Sequence, residues 1–135
     1  LVRPRARMLS SMTPVNLARG GVPVLVDGSP GGRTIINSVL QVVLNVVDFG
    51  MDIRQAVEAP RFHHQWLPDV TQFEAHGFPP KVRRDYAAMG HAVRRRPPQG
   101  IVMGIVVDQE TGWRFGAADS RSFDGGVAGH GAGVR

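Results

Sequence analysis

The sequence predicts an α+β fold in which antiparallel strands are covered by helices. Two observations carry this: β-prone segments occur in pairs joined by glycine turns near both ends of the chain, and segments of helical period lie between them. With 135 residues, 42% of them hydrophobic, the chain is large enough for one ordinary domain with its own core.

Val15–Ala18 and Val22–Val26 flank Arg19-Gly20-Gly21, a glycine pair suited to the positive φ angles of a tight hairpin. Asp27-Gly28-Ser29-Pro30-Gly31-Gly32 then interrupts regular structure before an apolar segment running from Thr34 to Phe49. In that segment Ile36, Val39, Leu40, Val43 and Val47 recur at helical spacing, and Asn37, Gln41 and Asn45 form one narrow polar stripe, so the helix is expected to be buried on most sides. Gly50 suits its C-terminal stop, and Asp52 suits the N-cap of a second short helix through Val57, which Pro60 ends. Pro79-Pro80 opens a third helix with Val82, Tyr86 and Met89 on one face and Gly90 at its end. Ile101–Val107 and Trp113–Phe115 flank Gln109-Glu110-Thr111-Gly112 as a second hairpin. The glycine-rich stretch 125–135 reads as a flexible tail, and there is no internal repeat.

Several function classes are disfavoured. No stretch reaches the roughly 18 apolar residues of a membrane helix, the nearest being broken by Asn37, Gln41, Asn45 and Asp48. The absence of cysteine removes disulfides and thiolate chemistry. The net charge of +5 gathers at Arg3, Arg5, Arg7 and at Arg94-Arg95-Arg96, with Arg83 and Arg84 between, but no interleaved aromatics or nucleic-acid motif accompany it, so no nucleic-acid partner is expected. His63-His64 would point to opposite sides of an extended segment and cannot easily chelate one ion, and His76, His91 and His130 are scattered, so no metal site is expected. Glu58, Asp119 and Asp124 read as helix, turn or ion-pair residues.

Two segments carry chemistry. Gly28-Ser29-Pro30-Gly31-Gly32, between a strand and a helix, is either a structural turn or a cradle in which backbone N–H groups converge on a small anion. No Lys-Ser or Lys-Thr pair follows it, which excludes a P-loop. Ser10-Ser11, in Leu9-Ser10-Ser11-Met12-Thr13-Pro14, are either turn and cap residues or donors to a ligand carboxylate, and neither sits in a nucleophile elbow.

In order and spacing, these two segments resemble the C-terminal part of the γ-glutamyltransferase small subunit. So do Asp48–Val57, Ala59–Pro68 and Gly116–Arg121, and the likeness runs from about Pro4 to His130. The resemblance implies one portion of a four-layer αββα N-terminal-nucleophile hydrolase fold, cut from a precursor, with residues 1–135 forming the C-terminal portion of the small-subunit domain. It implies that Ser10 and Ser11 hold the α-carboxylate of a γ-glutamyl group and that the N–H groups of Gly31 and Gly32 form the oxyanion hole. The nucleophilic threonine, whose own amine is the general base, would lie upstream of Leu1.

The implied reaction transfers γ-glutamyl from glutathione and related amides to water, an amino acid or a peptide, through a γ-glutamyl-enzyme intermediate. The implied protein partner is the N-terminal portion or large subunit, no metal or organic cofactor is called for, and a periplasmic or secreted location is expected. A related cephalosporin-type acylase and a catalytically silent binding domain are the competing readings. The sequence departs from the family where Pro4-Arg5-Ala6-Arg7 replaces the usual Pro-Gly-Lys-Arg, and where His130 replaces a terminal tyrosine.

Overall fold

The computed structural model describes residues 3–7 and 12–129, and its elements group into two sheets and three helices. Strands β1 (Val15–Arg19) and β2 (Val22–Gly28) form the first hairpin, turning through Gly20 and Gly21 at φ 58° and 81°. Strands β6 (Met103–Val107) and β7 (Arg114–Ala118) form the last. Asp108 fixes that last turn by accepting, through Oδ1, from Glu110 N, Thr111 N and the Thr111 hydroxyl. β2 pairs antiparallel with β6, so residues far apart in sequence make one four-stranded sheet, β1-β2-β6-β7.

A second sheet was not legible in the sequence. It consists of β3 (Phe62–His63), β4 (Thr71–Glu74) and β5 (Val93–Arg96). β3 and β4 are antiparallel, as are all pairs of the larger sheet, and β4 and β5 add one parallel pair. The crossover between β4 and β5 is helix α3 (Pro80–Ala88), and a parallel pair needs such a connection. Phe62, Phe73, Phe78 and Tyr86 pack ring against ring on this unit at centroid separations of 5.0 to 6.4 Å.

Helices α1 (Ile35–Val47) and α2 (Ile53–Glu58) cover one face of the larger sheet. Leu25, Val42, Ile53, Ala56, Val57, Val102 and Ala117 are the core between them. Gly50 adopts φ 64° after α1, and Asp52 with Gln55 makes a reciprocal capping box at the start of α2. α1 is less enclosed than its composition suggests. Ile35, Ser38, Val39 and Val42 are buried, whereas Ile36, Leu40, Leu44 and Val47 are exposed along an outer stripe. The polar stripe is turned toward neighbours instead. Gln41 donates to the carbonyl of Phe62 and accepts from its N–H, and Asn45 donates to the carbonyl of Ala56.

The opposite face of the larger sheet carries Val26, Met103 and Ile105, each about two-fifths exposed at 38%, 45% and 43%. Across it lies part of the glycine-rich tail, where Val127 sits so close to Gly116 that a Cβ there would meet its Cγ1 at 2.8 Å. No helix among the described residues is long and apolar enough to cross a membrane.

Candidate active site: the glycine loop and its support

The loop that follows β2 turns into α1 through a single 3-10 turn, Gly32–Thr34. Gly31 lies at φ 141° and Gly32 at φ 59°. The first of these angles is essentially closed to any residue with a side chain, and a Cβ on Gly31 would lie 2.9 Å from Thr34 Oγ1 and 3.4 Å from Gly100 Cα. Both glycines use their carbonyls to start the helix. The Gly31 oxygen accepts from Thr34 N at 3.3 Å and from Thr34 Oγ1 at 3.0 Å, and the Gly32 oxygen accepts from Ile35 N. With the carbonyls directed into the helix, the N–H groups of Gly31 and Gly32 belong to its opening turn, where backbone donors lack intrahelical acceptors.

Gly31 and Gly32 thus lie together at the entrance to α1. Ser10 and Ser11 lie outside the described residues.

Behind the loop lies a support that sequence reasoning missed. Arg61 is 1% exposed and sits within a ring of acceptors: Nη1 donates to Asp119 Oδ2 at 2.7 Å and to the Gln99 carbonyl at 3.1 Å, and Nη2 donates to the Val57 carbonyl at 2.5 Å. Arg121 completes the cluster with bonds to Glu74 at 2.6 and 2.9 Å and to Asp119 Oδ1 at 3.0 Å. It also donates to the carbonyls of Val57 and Ala59. Burial alone would raise the pKa of Glu74. Bonds from Arg121 and from the N–H groups of Arg61 and Gln99 outweigh it and hold the carboxyl below its ordinary range. Asp119 is likewise held low against burial by the N–H groups of Val102 and Arg121 and by Arg61.

Asp27, the last inward-facing residue of β2 before the loop, is the exception. It is 3% exposed, and among the described residues neither carboxylate oxygen meets a donor in hydrogen-bonding geometry. Burial pushes its pKa from 3.8 up to about 7, with Arg61 and the Gly28 N–H pulling the other way.

The other candidate side chains have structural roles. His63 is buried against Gln65, with 3.0 Å between Nε2 and Oε1, and His64 pairs with Asp69 at 3.0 Å. Among the described residues there is no cluster of three or more His, Cys, Asp or Glu able to hold a metal ion. Glu58 accepts from the N–H and hydroxyl of Ser120, and Asp124 accepts from the Ser122 hydroxyl. Arg5, standing where the family usually has glycine, keeps the φ of 61° that glycine favours.

Two helices against a four-stranded sheet, with a glycine loop leading from the sheet into the first helix, define one side of a layered α+β fold. The comparisons with known proteins agree. The family model described as Gamma-glutamyltranspeptidase matches residues 1–129, and the chain belongs to that family. The glutathione hydrolase proenzyme of Escherichia coli (strain K12) is 43% identical over 129 residues, which is 96% of this chain and 22% of that protein. The chain thus spans under a quarter of that relative's length.

The crystal structure of the T380A mutant of Helicobacter pylori γ-glutamyltranspeptidase superposes with a TM-score of 0.83 at 40% identity, covering 90% of this chain and 66% of that chain. The fold is accordingly part of the N-terminal-nucleophile hydrolase architecture. A cephalosporin acylase from Bacillus halodurans, at 24% identity and TM-score 0.72 over 79% of this chain and 20% of that one, shares the fold alone.

Proposed function

We infer that this chain is the oxyanion-binding portion of a γ-glutamyl transferase or hydrolase acting on glutathione and related γ-glutamyl amides. The observation that supports this best is the Gly31-Gly32 turn: successive positive φ angles at the entrance to α1, in a chain of the γ-glutamyltranspeptidase family. In the proposed reaction an N-terminal threonine hydroxyl, supplied by the segment upstream of Leu1, attacks the γ-carbonyl carbon and gives its proton to the threonine's own amine. The carbonyl oxygen becomes negative and is held by the N–H groups of Gly31 and Gly32. Collapse breaks the C–N bond, the leaving amine takes the proton, and water or an acceptor amine then attacks the ester by the reverse sequence. Ser10 and Ser11 would hold the substrate α-carboxylate, which is charged throughout, so their contribution falls on binding. The 24% identity of the acylase supports the shared scaffold and not its substrate.

The test removes one donor without changing a side chain. In the full-length precursor, glycolic acid in place of Gly32 exchanges the amide N–H for an ester oxygen and leaves the φ of 59° accessible, which proline would not. Loss of one such donor lowers kcat by about 100-fold or more with KM little changed. Wild-type kcat in a folded, cleaved ester variant would refute the oxyanion assignment. The 135-residue chain by itself is expected to release no product from a chromogenic γ-glutamyl anilide, and turnover by the purified chain would contradict the placement of the nucleophile upstream.

A further inference from the structure

An oxyanion site works only if its donors are already in place when charge develops, to within roughly 0.5 Å. The glycine loop has little of its own to hold it so closely. Gly28, Gly31 and Gly32 are permissive, and Gly31 and Gly32 are exposed. The segment Gln99-Gly100-Ile101 lies against its inner side.

The contacts form a continuous path. Ser29 Oγ donates to the Pro30 carbonyl at 2.7 Å, which sets the bend of the loop, and accepts from Ile101 N at 3.3 Å, which ties that bend to the strap. Gly31 rests close to Gly100 Cα, and Gly100, at φ 68°, fits so tightly over α1 that a Cβ there would lie 2.5 Å from Ser38 Oγ and 3.4 Å from Ser29 Oγ. The strap is in turn anchored to buried charges at Gln99 and at Val102, which follows it. Gln99 N donates to Glu74 Oε1 at 2.8 Å, the Gln99 carbonyl accepts from Arg61 Nη1 at 3.1 Å, and Val102 N donates to Asp119 Oδ2 at 2.9 Å.

We propose that the strap Gln99–Ile101 is the positioning element of the oxyanion hole, with the Ser29 hydroxyl as the positioning residue that couples it to the Gly31 and Gly32 donors. This rests on the oxyanion reading above. Buried, charge-assisted bonds hold the strap more firmly than the loop's own glycines could hold themselves. Ser29 transmits that rigidity across a single hydrogen bond. Its side chain touches no reacting atom in this scheme. Removing the hydroxyl lets the donors drift and weakens only the state in which they are in demand.

The experiment uses the full-length, cleaved enzyme with three variants: Ser29→Ala, Ser29→Thr and the glycolate replacement at Gly32. The readouts are kcat, KM and the inhibition constant of a tetrahedral γ-phosphonate analogue. Ser29→Ala is expected to lower kcat and analogue affinity together by about tenfold, the scale of one lost positioning bond, with KM within about twofold. Ser29→Thr, which retains the hydroxyl, is expected to recover most of both. If Ser29→Ala changes neither quantity while the ester variant changes both, the positioning proposal is overturned and the oxyanion reading stands. If the ester variant is also silent, the oxyanion reading fails and this proposal falls with it.

Where Ser29→Ala blocks precursor cleavage, hydrogen exchange in the uncleaved protein decides. Faster exchange confined to residues 28–34 and 99–101 supports the coupling. Unchanged exchange there, or a uniform rise across the chain, overturns it.

Discussion

Replacing Asp27 by asparagine is expected to make the protein more stable at neutral and alkaline pH while changing little in acid. The carboxyl is 3% exposed, and its pKa is pushed from 3.8 to about 7 mainly by burial, against the pull of Arg61 and the Gly28 N–H. A carboxyl whose folded pKa lies above its unfolded value favours folding in its protonated form. That contribution is complete below the unfolded pKa and is lost as pH rises toward the folded one, here between about pH 4 and pH 7. A shift of this size corresponds to at most about 4 kcal/mol at 1.36 kcal/mol per unit. Relaxation of the surroundings around the buried charge reduces this, so a difference of about 2 kcal/mol is the working expectation. Arg61, Glu74, Asp119 and Arg121 are the charged neighbours on this side of the sheet. Glu74 and Asp119, with pKa values held low, act in the opposite sense and lose their contribution in acid. The assay is urea unfolding of wild type and Asp27→Asn from pH 4 to pH 8, with a carboxyl carbon NMR titration of Asp27. The stability difference should open across that window. Parallel curves, or an Asp27 titration near pH 4, would refute the reasoning.

The two loop glycines should respond differently to alanine in the full-length enzyme. Gly31→Ala combines φ 141° with a 2.9 Å contact to Thr34 Oγ1 and should cost kcat about 100-fold or more, whereas Gly32→Ala, at φ 59° with nothing within 4 Å, carries only the roughly 1–2 kcal/mol of a left-handed residue. Equal losses of kcat at both positions would contradict this geometry. The 135-residue chain on its own should bind a hydrophobic dye or self-associate through the outer stripe of α1 and the sheet face bearing Val26, Met103 and Ile105. A dye-silent monomer by light scattering would show that these faces do not drive association.

Local punctuation made much of the larger sheet, and the starts of α2 and α3, legible. Gly20-Gly21 set the first hairpin, Asp52 the start of α2, Pro79-Pro80 the start of α3, and each is a backbone constraint that acts over a few residues. The second sheet had no such signal. β3 is two residues long, β4 is four, and the three consecutive arginines that end β5 resemble a solvated face more than a strand. Periodicity also misjudged α1, because the sequence is apolar on nearly every side. Only tertiary pairing decides that Ile35, Val39 and Val42 are covered while Ile36, Leu40 and Leu44 are not.

The site divides along the same line. A glycine pair between strand and helix is visible because its meaning is local: the loop demands positive φ, and the helix that follows leaves N–H groups over. What holds the loop still is not local. Arg61, Glu74, Asp119 and Arg121 come from the connection between α2 and β3, from β4 and from the turn after β7, and each, taken in its own segment, is an ordinary charged residue beside a turn or strand. Their joint role exists only after β2 has paired with β6, which brings Ile101 beside Ser29 across 72 residues of sequence. Burying these four charges is favourable only when the cluster is complete, since an uncompensated buried charge is strongly destabilising. The network therefore fixes the strap in one arrangement, and the permissive loop inherits from it a rigidity that no glycine could supply.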